Sequence, residues 1–278
     1  LMGLFLLSVT LVMVVAPNNA STSISIPVGS EIISRKKAIR LFVMLCSLGL
    51  ILQGKNVATT ITYRLVDYNA FLIFLSLFLA VLIIFCMTRK GITVPIQEVL
   101  ISVIAGVYVG SKKFVNIGVL EKIVASWFLN ILVAMVIVFL IYFSLSRMIN
   151  SLSLVYRSAM LRLLMIIGSG VLAYSVGANT IASIVSPLIT ENPYALFFKI
   201  VMIFVIWFGV INLSKRVVDR LGYRIVEFDV YSGACAQLGS GIAVILFTIL
   251  GMPVSTVHSV VMAIVAVAYI KRTPVIKN

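Results

Sequence analysis

The sequence predicts an all-α integral membrane protein built from two related, inverted repeats. Broken or re-entrant helices from the two repeats are expected to meet at a site near the bilayer midplane. Three observations predict this. The 278 residues are 62% hydrophobic and 11% charged, with a mean hydropathy of +1.20, more apolar than any soluble core requires. The apolar residues fall into runs of membrane-helix length, with no alternating β-barrel pattern. Two uncharged polar stretches, APNNAST at 16–22 and GANTIAS at 177–183, each interrupt such a run.

Runs suited to crossing a bilayer fall at 1–16, 39–52, 70–88, 122–145, 158–176, 195–213 and 258–270. Shorter runs at 94–109 and 236–250 suit re-entrant helices. No basic segment precedes 1–16, which argues against a signal sequence there.

The net charge of +14 does not form one basic face. It sits in clusters between apolar runs: Arg35, Lys36 and Lys37; Arg89 and Lys90; Lys112 and Lys113; Lys215 and Arg216; Lys271 and Arg272. This is the positive-inside pattern, with contacts to anionic membrane lipids, and it excludes a nucleic-acid partner. Cys46, Cys86 and Cys235 are odd in number and far apart, and His258 is the single histidine. Neither a disulfide framework nor a metal cluster follows from these, and no cofactor is expected.

The interruptions belong to an internal repeat. Asn18 and Asn179 lie 161 positions apart, and GITVPIQEVLISVIAG at 91–106 lies 160 positions before GMPVSTVHSVVMAIVA at 251–266. Val94 then matches Val254, Ile104 matches Ile264, and Glu98 falls opposite His258. Two motif pairs at one offset indicate duplication. The first repeat is placed at 1–145 and a polar, basic-flanked cytoplasmic linker at 146–160. The second repeat, 161–278, has no counterpart of the run at 122–145 and reads as incomplete at its C-terminal end. Counting 94–109 as a crossing gives five between the Asn motifs, which inverts the second repeat, and counting it as a dip gives four, which makes the repeats parallel; five is the expectation. At 215–228, Val217, Val218, Leu221, Ile225 and Phe228 share one helical face, as in a helix lying at the interface.

Asn18, Asn19, Ser21, Thr22, Asn179, Thr180 and Ser183 offer hydrogen-bond donors without fixed charge. Backbone N–H groups and the dipole at a helix start add to them, and Gly177 and Ala178 allow close approach to a ligand. Small-residue helix packing would explain either motif alone. Their recurrence at one offset favours a substrate site, because paired interruptions mark such sites in transporters. Pro17, Gly177 and Pro187 predict breaks from regular helix at 17–22 and 177–187, facing each other. Glu98 and His258 are ionisable groups in apolar stretches, and each suits a coupling proton. The plainer alternative for Glu98 is a headgroup-level pair with Arg89 or Lys90.

GANTIASIVSPL at 177–188 resembles the GANDVANA signature of the inorganic phosphate transporter family, usually called PiT. VAPNNASTSISIPVGS at 15–30 is similar to a more divergent copy, and GMPVSTVH at 251–258 resembles the family's G-x-PVSTTH segment. The stretch at 215–241 is similar to the sequence leading into that segment. The resemblance implies secondary transport of a tetrahedral inorganic oxyanion by alternating access. Phosphate is the implied substrate and sulfate the runner-up, with Na⁺ or H⁺ as coupling ion. It also implies site roles for Ser255 and Thr256 and supports His258.

The departures from the family matter. Asn19 and Thr180 stand where the signature has Asp, and the first G-x-PVSTTH copy has become Thr93, Val94, Pro95, Ile96, Gln97 and Glu98. Without those carboxylates a proton is the expected coupling ion in preference to Na⁺. Loss of anionic acceptors also favours sulfate, which carries no proton to donate. The expected partners are therefore phosphate or sulfate, a proton, membrane lipids and a second copy in a homodimer, at the cell membrane. Two rival classes remain: a transport-inactive membrane sensor or scaffold, and an intramembrane enzyme using Ser255 and His258 as nucleophile and base. The expectation is a non-enzyme.

Overall fold

The computed structural model describes residues 2–89, 95–190, 192–213 and 229–272. The chain begins with α1 (Met2–Gly29), α2 (Arg35–Leu52) and α3 (Gly54–Thr59), which runs into a π turn at Thr60–Arg64. α4 (Ala70–Arg89), α5 (Ile96–Gly110) and α6 (Ile117–Asn150) follow. α7 (Leu154–Ser175) continues through a second π turn, Val176–Ile181, into the short α8 (Ala182–Ile184) and α9 (Ser186–Ile189). α10 (Ala195–Leu213), α11 (Val230–Ile249) and α12 (Thr256–Lys271) complete the bundle.

Among the described residues, six segments are long and apolar enough to cross a membrane: α1, α4, α6, α7 with α8, α10 and α11. α2 and the α3 segment together form a seventh candidate, bent by 56°. Two expectations exchange places. The 236–250 run, expected to be short, is the end of the 20-residue α11, whose apolar window is 78% buried and which packs on α6, α7 and α12. The 258–270 run, expected to cross, is the 16-residue α12. α5 has 15 residues, about 22 Å at 1.5 Å per residue, which is too short to span a hydrocarbon core of about 30 Å. It therefore does not supply the fifth crossing counted from sequence.

The expected break at 17–22 is not present: α1 is continuous through Pro17 and Pro27. A membrane helix tolerates proline where neighbours accommodate the freed carbonyl. Pro27 has no N–H for the Ser23 carbonyl, and Gln237 Nε2 of α11 donates to that carbonyl at 2.7 Å. Ser169 of α7 in turn donates to Gln237 Oε1 at 2.7 Å. Around Pro17, the hydroxyls of Ser21 and Thr22 bond back to the carbonyls of Asn18 and Asn19, three residues earlier. The other expected break is observed, as the π turn at 176–181 and a further interruption at Val185 before Pro187.

The 146–160 segment, expected as a loop, is helical except for 151–153, because α6 and α7 extend the flanking apolar runs. The interfacial helix expected at 215–228, and Lys90 as a partner for Glu98, lie outside the described residues, as does the side chain of Arg89.

Three helix pairs start 160 residues apart: α2 and α10, α4 and α11, α5 and α12. Their packing follows the same correspondence. α1 packs on α10 while α2 packs on α7, and α4 holds α5 as α11 holds α12. The α2–α7 contact is backbone on backbone. A Cβ at Gly177 would lie 1.8 Å from the Cys46 carbonyl oxygen, and one at Gly49 would lie 2.1 Å from that of Tyr174. At the α11–α12 end, Asp229 caps α11 through Ser232 and pairs with Lys271. Burial works to raise the Asp229 carboxyl, but the hydrogen bonds from Lys271 and Ser232 outweigh it and hold it below its ordinary value.

Candidate functional site

The first turns of the two short helices, α5 and α12, meet at one cavity. Ile96 and Gln97 line it from α5, Ser255, Thr256 and Val257 from the start of α12, Asn19 from α1, and Thr180 from the π turn after α7. Four expected residues are thus brought together: Asn19, Thr180, Ser255 and Thr256. They come from opposite ends of the sequence because the paired motifs fold onto one another. The cavity measures about 10 Å³, enough for one water and too small for a five-atom oxyanion.

Local sequence explains why each short helix begins here. Pro95 and Ser255 are both extended, with ψ 115° and 116°, so neither is part of the helix that follows it. Ser255 Oγ accepts from the backbone N–H of His258 at 3.3 Å, the usual N-cap arrangement. α6 fixes this end from outside: Trp127 Nε1 donates to the Pro253 carbonyl at 2.9 Å, and Asn130 Nδ2 donates to Ser259 Oγ at 2.6 Å. α5 and α12 meet at their tips and do not pack along their lengths; α5 lies on α4, and α12 on α6 and α11.

Five of the seven lining residues are polar, Ile96 and Val257 are apolar, and none is charged. Thr256 Oγ1 donates to Asn19 Oδ1 at 2.9 Å, tying α12 to α1. Asn19 Nδ2 donates to the Val15 carbonyl at 3.0 Å. Two of the lining residues, Thr180 and Gln97, each have a buried side-chain oxygen without a hydrogen-bond partner, Oγ1 and Oε1 respectively. Such orphaned atoms are costly inside a protein and point to a ligand. Two helix N-termini and neutral donors together suit an anion that must later leave, while the Gln97 amide oxygen can only accept and calls for a donor.

The other expected residues stand apart from the cavity wall. Asn179 is fully buried and makes four hydrogen bonds. Its Nδ2 donates to Thr248 Oγ1 at 2.8 Å and the Met252 carbonyl at 3.0 Å, and its Oδ1 accepts from Gln97 Nε2 at 2.8 Å and the Val254 N–H at 3.1 Å. Ser183 accepts from Gln97 Nε2 at 3.0 Å and donates to the Asn179 carbonyl at 2.7 Å. Asn18, Ser21 and Thr22 do not line the cavity, and the hydroxyls of the last two are engaged within α1. Glu98 and His258 lie one residue beyond Gln97 and Val257, and His258 Nδ1 is 3.1 Å from Glu98 Oε1. The imidazole is thereby directed to Glu98, while Ser255 Oγ contacts the His258 backbone.

Gln97 is the residue that sequence reasoning missed. A glutamine next to Glu98 in an apolar run was the available signal, and the structure shows it buried.

The model of the phosphate transporter family matches residues 15–277. The chain belongs to this family. A protein of Methanocaldococcus jannaschii named "Putative phosphate permease" is 28% identical over 98% of this chain and 88% of its own length. A protein of the same name from Chlamydia pneumoniae is 30% identical, over 37% of this chain and 27% of its own length. A solved structure titled "The sodium-dependent phosphate transporter" superposes with a TM-score of 0.81 at 18% identity, covering 96% of this chain and 89% of that one. That likeness shows the fold. Family, fold and six apolar segments make this a multi-pass membrane protein of transporter type. Asn19 and Thr180, the two residues that the sequence resemblance aligns with the signature Asp, both line the cavity.

Proposed function

We propose that this protein is a secondary transporter that carries inorganic phosphate across the cell membrane. Transport is driven by protons and proceeds by alternating access between two inverted repeats. One observation carries the reading: the N-termini of α5 and α12 converge on a cavity without charged lining residues, two of whose lining residues, Thr180 and Gln97, have unpartnered side-chain oxygens. Family membership makes phosphate the substrate of first choice.

Inversion is supported by the short helices themselves. They meet at their tips and diverge, one against α4 and the other against α6 and α11, as half-helices entering from opposite faces would. The swapped packing of α1 on α10 and α2 on α7 has the same two-fold character. Since the cavity takes only one water, phosphate entry requires α5 or α12 to move away from α1 and α7. That movement is the alternating-access step.

Proton coupling is supported by Glu98 and His258, which join the two half-helices beside the cavity. Asn19 and Thr180 offer oxygen without negative charge for a hard cation. Purified protein in liposomes tests the whole reading. An inward proton gradient should drive saturable phosphate uptake without Na⁺. Uptake that requires Na⁺ and ignores pH would overturn the coupling. Absence of any saturable uptake would favour a sensor or scaffold.

A further inference from the structure

The polarity of the amide facing the cavity can be assigned from the backbone outward. The Val254 N–H can only donate and the Met252 carbonyl can only accept, and both bond the Asn179 side chain. Their arrangement fixes Asn179 with Oδ1 towards Val254 and Nδ2 towards Met252. Gln97 meets Asn179 at Oδ1, so Gln97 must present its Nε2, which donates to Asn179 Oδ1 at 2.8 Å and Ser183 Oγ at 3.0 Å. Turning the Gln97 amide over would set two carbonyl oxygens against each other. Gln97 Oε1 is therefore held away from Asn179, on a side chain that is 2% exposed, lines the cavity and leaves this oxygen without a partner.

We infer that Gln97 Oε1 is a fixed hydrogen-bond acceptor that selects a protonated oxyanion, phosphate or arsenate, over sulfate. The inference rests on the transport reading above and specifies its substrate chemistry. Phosphate near neutral pH retains at least one P–OH, which can donate to Gln97 Oε1. Sulfate is fully deprotonated, so its oxygens would meet the amide oxygen with no proton between them. The buried acceptor would stay unsatisfied and face negative charge. A neutral acceptor thus takes the role that the missing carboxylates leave open. The remaining contacts, hydroxyls and helix N-termini, serve any tetrahedral anion alike. The inference runs against the sequence argument for sulfate, which considered only Asn19 and Thr180, and the competition experiment below decides between them.

The test is competition against radiolabelled phosphate uptake in liposomes, with arsenate, sulfate and selenate as competitors. In the unmodified protein arsenate should compete at concentrations similar to phosphate, and sulfate and selenate should need about tenfold more or worse. Gln97→Met keeps the side-chain length and removes the acceptor, so the phosphate-to-sulfate ratio should fall about tenfold. Ser183→Ala loosens the Gln97 amide without touching the cavity. It should erode the same ratio partially and guards against misfolding of the first variant.

If the unmodified protein takes up phosphate and sulfate competes equally, the inference is overturned while the transport reading stands. It is also overturned if Gln97→Met alters cation dependence but leaves anion selectivity intact, since the oxygen would then serve a cation. Absence of phosphate uptake by the unmodified protein overturns the transport reading itself.

Discussion

His258 Nδ1 lies 3.1 Å from Glu98 Oε1, joining the first turns of α12 and α5 across 160 residues of sequence. Each residue occupies the position that corresponds to the other in the sequence repeat. The pair therefore sits on the pseudo-symmetric seam that must open and close if the half-helices move. A proton arriving at either group changes the charge balance of that contact, which is what a coupling device requires.

Glu98→Gln should abolish acceleration of phosphate uptake by an acid exterior while leaving phosphate exchange at equal pH measurable. His258→Gln should do the same. The readout is the initial uptake rate with and without an imposed pH gradient. A Glu98→Gln protein that still responds fully to the gradient would remove this pair from coupling.

Gly177 and Gly49 set the distance between α7 and α2. A Cβ at position 177 would stand 1.8 Å from the Cys46 carbonyl oxygen, so side-chain movement alone cannot absorb Gly177→Ala. The helices must part, at about 1–3 kcal/mol or more. A clear drop in thermal midpoint of the purified protein is expected, together with weaker uptake because the π turn carries Thr180. An unchanged midpoint would mean that the α2–α7 contact is looser than described.

Gln237 replaces the hydrogen bond that Pro27 denies to the Ser23 carbonyl. Gln237→Ala should destabilise by about 1–3 kcal/mol, the cost of an unpaired buried polar group. Pro27→Ala restores a backbone donor to the same carbonyl, so the double variant should recover part of the loss. Additive effects in thermal unfolding would contradict the assignment.

Much of this architecture was legible in the sequence, for identifiable reasons. Helices such as α10 and α4 are predominantly apolar, and the bounds read from the apolar runs fall within a residue of those observed. Asn19 and Thr180 could be singled out because their motifs recur, and Ser255 and Thr256 because GMPVSTVH resembles the family's segment. The break expected at Pro17 failed because proline removes one hydrogen bond, and tertiary partners decide whether the helix survives; Gln237, more than 200 residues away, shows the same principle at Pro27. The full span of α11 was missed because its first turns, Tyr231 to Gln237, are small and polar where they pack on α7. Gln97 was missed because it has no polar counterpart in the other repeat, where Val257 stands.

The Asp-to-Asn departure yields a gain-of-function expectation. Asn19 Nδ2 now donates to the Val15 carbonyl. In Asn19→Asp an anionic oxygen would face that carbonyl, an arrangement that a small cation would relieve. Asn19→Asp, alone or with Thr180→Asp, should confer Na⁺ stimulation on phosphate uptake. Uptake that remains indifferent to Na⁺ in both variants would show that position 19 is not where a cation acts.

The central claim is that phosphate binds where α5 and α12 converge. The most direct measurement is saturable uptake of radiolabelled phosphate by liposomes carrying the unmodified protein or Thr180→Val. This substitution conserves volume and removes only the orphaned hydroxyl. The expected result is an apparent affinity weakened by about tenfold in Thr180→Val, the loss of one hydrogen bond to a charged ligand, with expression and thermal midpoint retained. An unchanged apparent affinity in well-folded Thr180→Val would contradict the account and place the phosphate site elsewhere in the bundle.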